Sequence, residues 1–251
     1  IKKYSIMYIK KSIVSDFKKN GVVKVKNLVP KKVINKCLKE LFIKKDYKTA
    51  QRDGNVVFDS FGKKKTVKYL QHAQNYIPIF FQLFNSQILQ VAKKLLNQDV
   101  YFECMGIHNK APKFGTDTPY HQDNFYFCLS PPFALTAYIP LEKQDKTNGE
   151  LKYIRSSHKK GVMQHYPSKI KAFSSGLKKQ SYKESEIIFP KLNVGDVVFH
   201  HCNIVHGAEG NNSKKKNRNA VAIKIVGKDA KIDKNQFKIY QKFRSKNRKF
   251  A

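Results

Sequence analysis

From about residue 98 onward the chain breaks into short apolar runs of strand length, at 100–108, 120–128, 133–140, 150–155, 185–189, 196–202 and 219–226, with turn chemistry between them. Short, evenly punctuated strands have few ways to pair their backbone groups, and the stable solutions are sandwiches and barrels. The punctuation is explicit: Pro131-Pro132, Asn148-Gly149, Gly195-Asp196 and the polar run 210–217. Asn148-Gly149 between apolar flanks predicts a hairpin with a type I′ turn, which needs positive φ at both central residues.

Ahead of this half the period is helical. Residues 14–20 read as a short helix stopped by Gly21, Val22–Lys26 as a strand, and Pro30 as the first-turn proline of a second helix. That helix buries one face through Val33, Ile34, Cys37, Leu38, Leu41 and Phe42. A loop with Gly54 and Gly62 then leads to a long helix over about 77–96, with Ile79, Phe80, Leu83, Ile88, Leu89, Ala92 and Leu95 as its apolar stripe. The expected class is α+β, mainly β, with N-terminal helices packed on the outside of an all-β barrel. No internal repeat and no linker divides the chain, so residues 1–251 are expected to form a single domain.

With 251 residues and 41% hydrophobic side chains, a core of that kind can be filled. No apolar run approaches the roughly 20 residues that span a bilayer, and the lysine-punctuated N-terminus lacks a secretory pattern. The chain does not begin with Met, so a removed leader stays open. Cys37, Cys104, Cys128 and Cys202 are widely spaced, without a CxxC pair, and read as buried free thiols of a cytoplasmic protein. A net charge of +32 ordinarily points to nucleic acid or an anionic surface. Here the charge is spread out: residues 1–45 carry 14 basic and 2 acidic side chains, and a basic C-terminal extension, 228–251, carries 9 and 2. Only five of the 50 basic residues are arginine, the side chain that groove readers favour, so a compositional lysine bias is the simpler account and no specific nucleic-acid partner is expected.

The chemistry concentrates in the histidines. In His121-Gln122-Asp123 an imidazole and a carboxylate stand at i and i+2, so on a strand or its end both project from one face. Such a pair supplies two of the three ligands of a facial triad, and the segment 195–207, with His200, His201 and His206, supplies candidates for the third. Two histidines and a carboxylate leave three positions open, the arrangement that suits non-haem Fe(II) oxygenases. On the residues alone, His200 or His201, adjacent and on opposite faces, could stand in for His206. His158 reads as a structural turn histidine, His72 and His108 as candidates for a cavity wall, and Lys63–Lys65 and Lys214–Lys216 as solvated loops.

Five separated motifs share an order. Lys110-Ala111-Pro112 precedes His121-Gln122-Asp123-Asn124; Asn148-Gly149-Glu150-Leu151 runs into Ile154-Arg155-Ser156-Ser157-His158; Gly195-Asp196 leads to His206-Gly207; and Asn212-Ser213 leads to Arg218. Together with Phe17–Val23 at the front, this pattern over about 15–227 resembles the phytanoyl-CoA dioxygenase family. The resemblance implies a double-stranded β-helix (a cupin-like jelly-roll) that uses Fe(II), 2-oxoglutarate and O2. It makes His121, Asp123 and His206 the metal ligands and Arg218 the anchor for the far carboxylate of 2-oxoglutarate. It also places Lys68 near the cosubstrate, and Tyr138 where relatives often carry a lining tryptophan. Two departures are visible: Arg155 and Ser156 stand where relatives usually have proline and glycine, and Tyr138 leaves a smaller wall with a hydroxyl.

The implied activity is hydroxylation of a small organic metabolite, anionic ones included, with release of succinate and CO2. Halogenation is not expected, because Asp123 fills the position that a halide would need. A basic nucleic-acid-binding barrel with a vestigial metal site, stacking bases on Phe125, Tyr126 and Phe127, is the alternative from another class. It has no use for three ligands and Arg218. An oxygenase that acts on nucleic acid is the third reading.

Overall fold

The computed structural model describes residues 9–43, 47–61, 63–113, 115–178 and 181–246. Gly62 and the side chain of Phe42, used above, lie outside the described residues. Helix α1 (Lys11–Asn20) stops at Gly21, whose φ of 79° carries its N–H back to the Phe17 carbonyl, a left-handed cap that glycine adopts without strain. Strand β1 (Val22–Val25) and helix α2 (Lys31–Ile43) follow as expected, then a short α3 (Lys48–Arg52). The loop expected around Gly54 and Gly62 is largely a hairpin, β2 (Val56–Phe61) and β3 (Lys64–Leu70). After α4 (Ala73–Tyr76), the long helix expected over 77–96 divides into a 3-10 turn, Pro78–Leu83, and α5 (Ser86–Leu96). Asn85 makes the break by accepting the Ile88 N–H at the α5 N-cap. The apolar stripe runs through both pieces because both pack on the same sheet, so periodicity alone does not show the break.

The β half comprises β4 (Val100–Lys110), β5 (Thr118–His121), a single-turn α6 (Asn124–Phe127), β6 (Ala134–Pro140) and β7 (Leu151–Ile154). It continues with β8 (His165–Ile170), β9 (Phe173–Leu177), β10 (Ile187–Ile188), β11 (Val197–His201), β12 (His206–Ala208) and β13 (Arg218–Gly227), and closes with α7 (Lys234–Lys246). One sheet has the order β1-β11-β6-β13-β4-β3-β2, the second β10-β7-β12-β5, and β8-β9 form a separate hairpin. The result is a mainly β, double-stranded β-helix with the N-terminal helices on the outer face of the large sheet.

Both faces of the large sheet are covered. Leu135, Ala137, Ile139, Phe199, Val221 and Ile223 point outward into the larger core, against Phe80, Ile88 and Val91 of the helical layer. Tyr138, Val198 and Ala220 point inward against Leu151, Tyr153 and Ala208 of the small sheet. Strands buried on both sides read as unbroken apolar runs, which is why β6 shows no alternation in sequence.

Asn148-Gly149 is not a hairpin. The strands it joins, β6 and β7, belong to different sheets. Gly149 has φ 89°, whereas Asn148 is not among the positive-φ residues, so the turn is not type I′. The segment is a corner: Asn148 Nδ2 donates to the carbonyls of Lys143 and Asn217, and a Cβ on Gly149 would come within 2.6 Å of the Glu209 carbonyl. Beyond the sheets, Asp233 Oδ1 caps α7 by accepting from Asn235 and Gln236. Tyr240 and Phe243 of α7 meet Phe125 edge-on at centroid distances of 5.7 and 5.2 Å. Among the described residues, no helix is long and apolar enough to cross a membrane.

Candidate metal and cosubstrate site

Strands β5, β12 and β7 lie side by side, and their register sets His206 opposite His121 on one flank and opposite Tyr153 on the other. Cross-strand neighbours on one face are in contact range. The His121 and His206 rings sit 4.2 Å apart, and Tyr153 stacks on His206 at 5.6 Å. β5 ends at His121, so Asp123 does not share a strand face with it. Instead Asp123 has helical backbone (φ −58°, ψ −35°) at the start of α6, and the turn swings its carboxylate toward the two imidazoles. Gln122 pins that turn. It is fully buried; its side chain donates to the Gly161 and Asn203 carbonyls and accepts from Met163 N–H, while its own N–H reaches His165 Nε2.

The three side chains converge. His121 Nε2 and His206 Nε2 lie 3.6 and 3.7 Å from Asp123 Oδ1, and all three donor atoms fall within 4.8 Å of one another. Each histidine turns its other nitrogen to a backbone carbonyl: His121 Nδ1 to Pro119 at 2.9 Å and His206 Nδ1 to Ile204 at 3.1 Å. An N–H committed to a carbonyl leaves the Nε2 lone pair free and aimed at the centre, the tautomer a metal ligand requires. Burial, together with the adjacent imidazoles, pushes His206 well below the usual histidine range. Burial would raise Asp123, but the imidazoles of His206, His121 and His200 around it outweigh that and hold it well below the usual carboxylate range. Neutral imidazole nitrogens beside a carboxylate oxygen are a donor set that fits Fe(II).

The large sheet contributes a buried cation. Arg218, at the start of β13, is 2% exposed and donates through Nε to the Gly149 carbonyl. No carboxylate pairs with it among the described residues, and a buried guanidinium without an anion is costly. Tyr138, held by Gln144, has its hydroxyl beside that guanidinium. Ala220 and Ala222, on the same face of β13 as Arg218, leave room there. Lys68 sits at a bulge: Tyr69 faces Val57 and Val67 faces Phe58, so Lys68 has no partner on β2. Its ammonium engages Asp59 at 3.4 Å and the Thr116 hydroxyl, and no contact joins it to Arg218.

The remaining histidines separate cleanly. His201 points to the outer face of β11, against Phe17 and His158, and does not reach the triad. His200 points inward, but its Nε2 lies 3.1 Å from Asp123 Oδ2 and not in the triad. His158 belongs to the turn against Gly21, and His72 starts α4 in left-handed backbone. His108 lies between the rings of Tyr69 and Phe173, its pKa pushed down to about 3 by burial and by the Arg218 charge. Sequence reasoning missed Thr136, Tyr153, Phe173 and Lys110 as site residues. Lys110 is buried, donates to the Ala208 and Glu209 carbonyls, and so ties β4 to the end of β12. Its place in the Lys110-Ala111-Pro112 motif was the available signal.

A sequence profile of the phytanoyl-CoA dioxygenase (PhyH) family matches residues 17–220, a span that contains the triad and Arg218. The chain belongs to the phytanoyl-CoA dioxygenase family. Its relatives include a probable phytanoyl-CoA dioxygenase of Caenorhabditis elegans, 26% identical over 224 residues, which cover 79% of this chain and 69% of the worm protein. The peroxisomal phytanoyl-CoA dioxygenase of Bos taurus is 26% identical over 214 residues, 79% of this chain and 63% of that protein. The chain thus spans about two thirds of the length of these two relatives. In fold it resembles the epimerase SnoN in complex with Fe3+, alpha ketoglutarate and nogalamycin RO, with a TM-score of 0.69 and 18% identity, covering 92% of this chain and 88% of that one. By family this chain is an enzyme, a dioxygenase, and the SnoN structure of the same fold holds Fe3+ and alpha ketoglutarate.

Proposed function

We propose that the protein hydroxylates a small organic metabolite, with His121, Asp123 and His206 holding Fe(II) and Arg218 taking the far carboxylate of 2-oxoglutarate. The observation that carries this reading is the convergence of two Nε2 atoms and Asp123 Oδ1 within 4.8 Å, each imidazole locked by a carbonyl at Nδ1. Bound there, Fe(II) and 2-oxoglutarate supply the oxidising chemistry, with O2 as oxidant and succinate and CO2 as by-products. The protein's own part is placement and exclusion of water. Asp123 and the neutral imidazoles fix one face of the site. Arg218, with the Tyr138 hydroxyl beside it, offers a planar fork to a carboxylate. Lys68 stays a candidate cosubstrate contact that must first leave Asp59 and Thr116. Phe173, 5.4 Å from His121 and stacked on His108, roofs the site from the β8-β9 hairpin.

Retention of Asp123 argues for oxygen insertion or desaturation over halogenation, because its Oδ1 occupies the face a halide would need. The product formed with Fe(II), 2-oxoglutarate and a metabolite panel is expected to gain one oxygen, or lose two hydrogens, by mass spectrometry. A chlorinated product dependent on added chloride would contradict the role given to Asp123.

We further read residues 1–251 as one oxygenase domain, since α7 packs on α6 beside the site, and the free thiols support a cytoplasmic setting. The lysine-rich surface is read as compositional. Binding to DNA or RNA is therefore expected to be sequence-independent and largely lost at about 0.2 M salt. Nanomolar, sequence-selective binding at that salt would favour a nucleic-acid substrate or partner instead.

A further inference from the structure

Asp123 presents one oxygen to the triad and has the other taken. Oδ2 accepts from Thr136 Oγ1 at 2.6 Å and lies 3.1 Å from His200 Nε2. His200 and Thr136 are direct cross-strand partners on β11 and β6, so one register position of the large sheet delivers both groups to the same atom. The other nitrogen of His200, Nδ1, lies 3.1 Å from the Tyr153 hydroxyl. A phenol that donates to Nδ1 leaves the proton on Nε2, and that N–H then donates to Oδ2, so the directions agree along the whole row. The row is dry: His200 is 2% exposed and Tyr153 is 0% exposed, and no water can replace either hydrogen bond without opening the interface between the sheets. Tyr153 is doubly placed, because its ring also stacks on His206.

We propose that His200 is a positioning residue for the metal site: oriented by Tyr153 and seconded by Thr136, it holds Oδ2 so that Asp123 meets the metal through Oδ1 alone. This rests on the metal-binding reading above. His200 is not a fourth ligand, since both of its nitrogens are committed within the row. Without it, Oδ2 keeps one donor, and the carboxylate is free to rotate or to bind through both oxygens. Outer-shell partners of this kind ordinarily contribute 10–100-fold to metal affinity.

The test uses the full chain and Co(II) as a visible-absorbing probe. It compares the unaltered protein with His200→Phe, His200→Gln and Tyr153→Phe, and thermal unfolding of each metal-free protein checks the fold. His200→Phe is expected to bind Co(II) about 10–100-fold more weakly. His200→Gln, whose amide can still donate, should recover most of that loss. Tyr153→Phe, which removes one hydroxyl and little volume, should lose affinity by a smaller factor, and it carries the test if His200→Phe fails to fold. The band positions of bound Co(II) should stay those of the unaltered protein. Unchanged affinity in His200→Phe, or in Tyr153→Phe where His200→Phe does not fold, overturns the proposal. A band shift in His200→Phe like that of His206→Ala also overturns it, by making His200 a ligand. Failure of the unaltered protein to bind Co(II) would instead sink the metal-site reading itself.

Discussion

His206→Ala is expected to bind Fe(II) more than about 100-fold more weakly than the unaltered chain while remaining folded. The affinity loss should exceed the 10–100-fold typical of outer-shell changes, because a donor atom itself is removed. The fold should survive because His206 lies on a three-residue strand of the small sheet, away from the larger core between the helices and the outer face of the large sheet. Its local cost is the lost stack on Tyr153, of order 1 kcal/mol, and a small cavity. Calorimetric metal titration and thermal unfolding, run together, separate the two effects. If His206→Ala kept its iron while His200→Ala or His201→Ala lost it, the third donor would be misassigned.

Arg218→Met should raise the KM for 2-oxoglutarate by a factor between tens and thousands and leave Fe(II) affinity nearly unchanged. The guanidinium is buried and has no carboxylate partner among the described residues, so the cosubstrate would supply its only close anion. Truncating one side of a buried charge pair costs about 2–5 kcal/mol. Arg218→Lys should fall between, since an ammonium keeps the charge but not the two-pronged geometry. The adjacent Lys110 cannot take over, because its ammonium is already committed to the Ala208 and Glu209 carbonyls. Equal loss of metal and cosubstrate binding in Arg218→Met would instead indicate collapse of the Gly149 corner that Arg218 Nε supports.

What the sequence disclosed follows from which interactions are local. The inner strands β6, β11 and β13 are legible because burial on both faces makes them largely apolar runs, whereas β4 alternates over its first half, with Tyr101 and Glu103 exposed. His121 and Asp123 are legible as a pair from their spacing, whereas the choice of His206 over His200 and His201, and the role given to Arg218, rest on the resemblance to the family's motifs. The β2-β3 hairpin is hidden by its lysines, since Lys64, Lys65 and Lys68 interrupt an alternation that Phe58 and Val67 otherwise keep. Asn148-Gly149 has the local chemistry of a hairpin turn, but strand partners are chosen by tertiary packing, and β7 pairs with β10 and β12 instead of β6. The β8-β9 hairpin, with Pro167 and Gly176 in its strands, carries a weak β signal, so Phe173 over the site went unseen. Thr136, Tyr153 and His200 come from three strands far apart in sequence, and only the register of both sheets shows that they meet at Asp123 and His206.

The most direct measurement of the central claim is succinate formed from 2-oxoglutarate by the purified chain with Fe(II), in air and without O2. The account predicts succinate in air, a higher rate once a substrate from a metabolite panel is present, none without O2, and none from His206→Ala in either case. A chain that binds both Fe(II) and 2-oxoglutarate yet forms no succinate in air with any substrate, or a His206→Ala protein that forms it at the unaltered rate, would contradict the account.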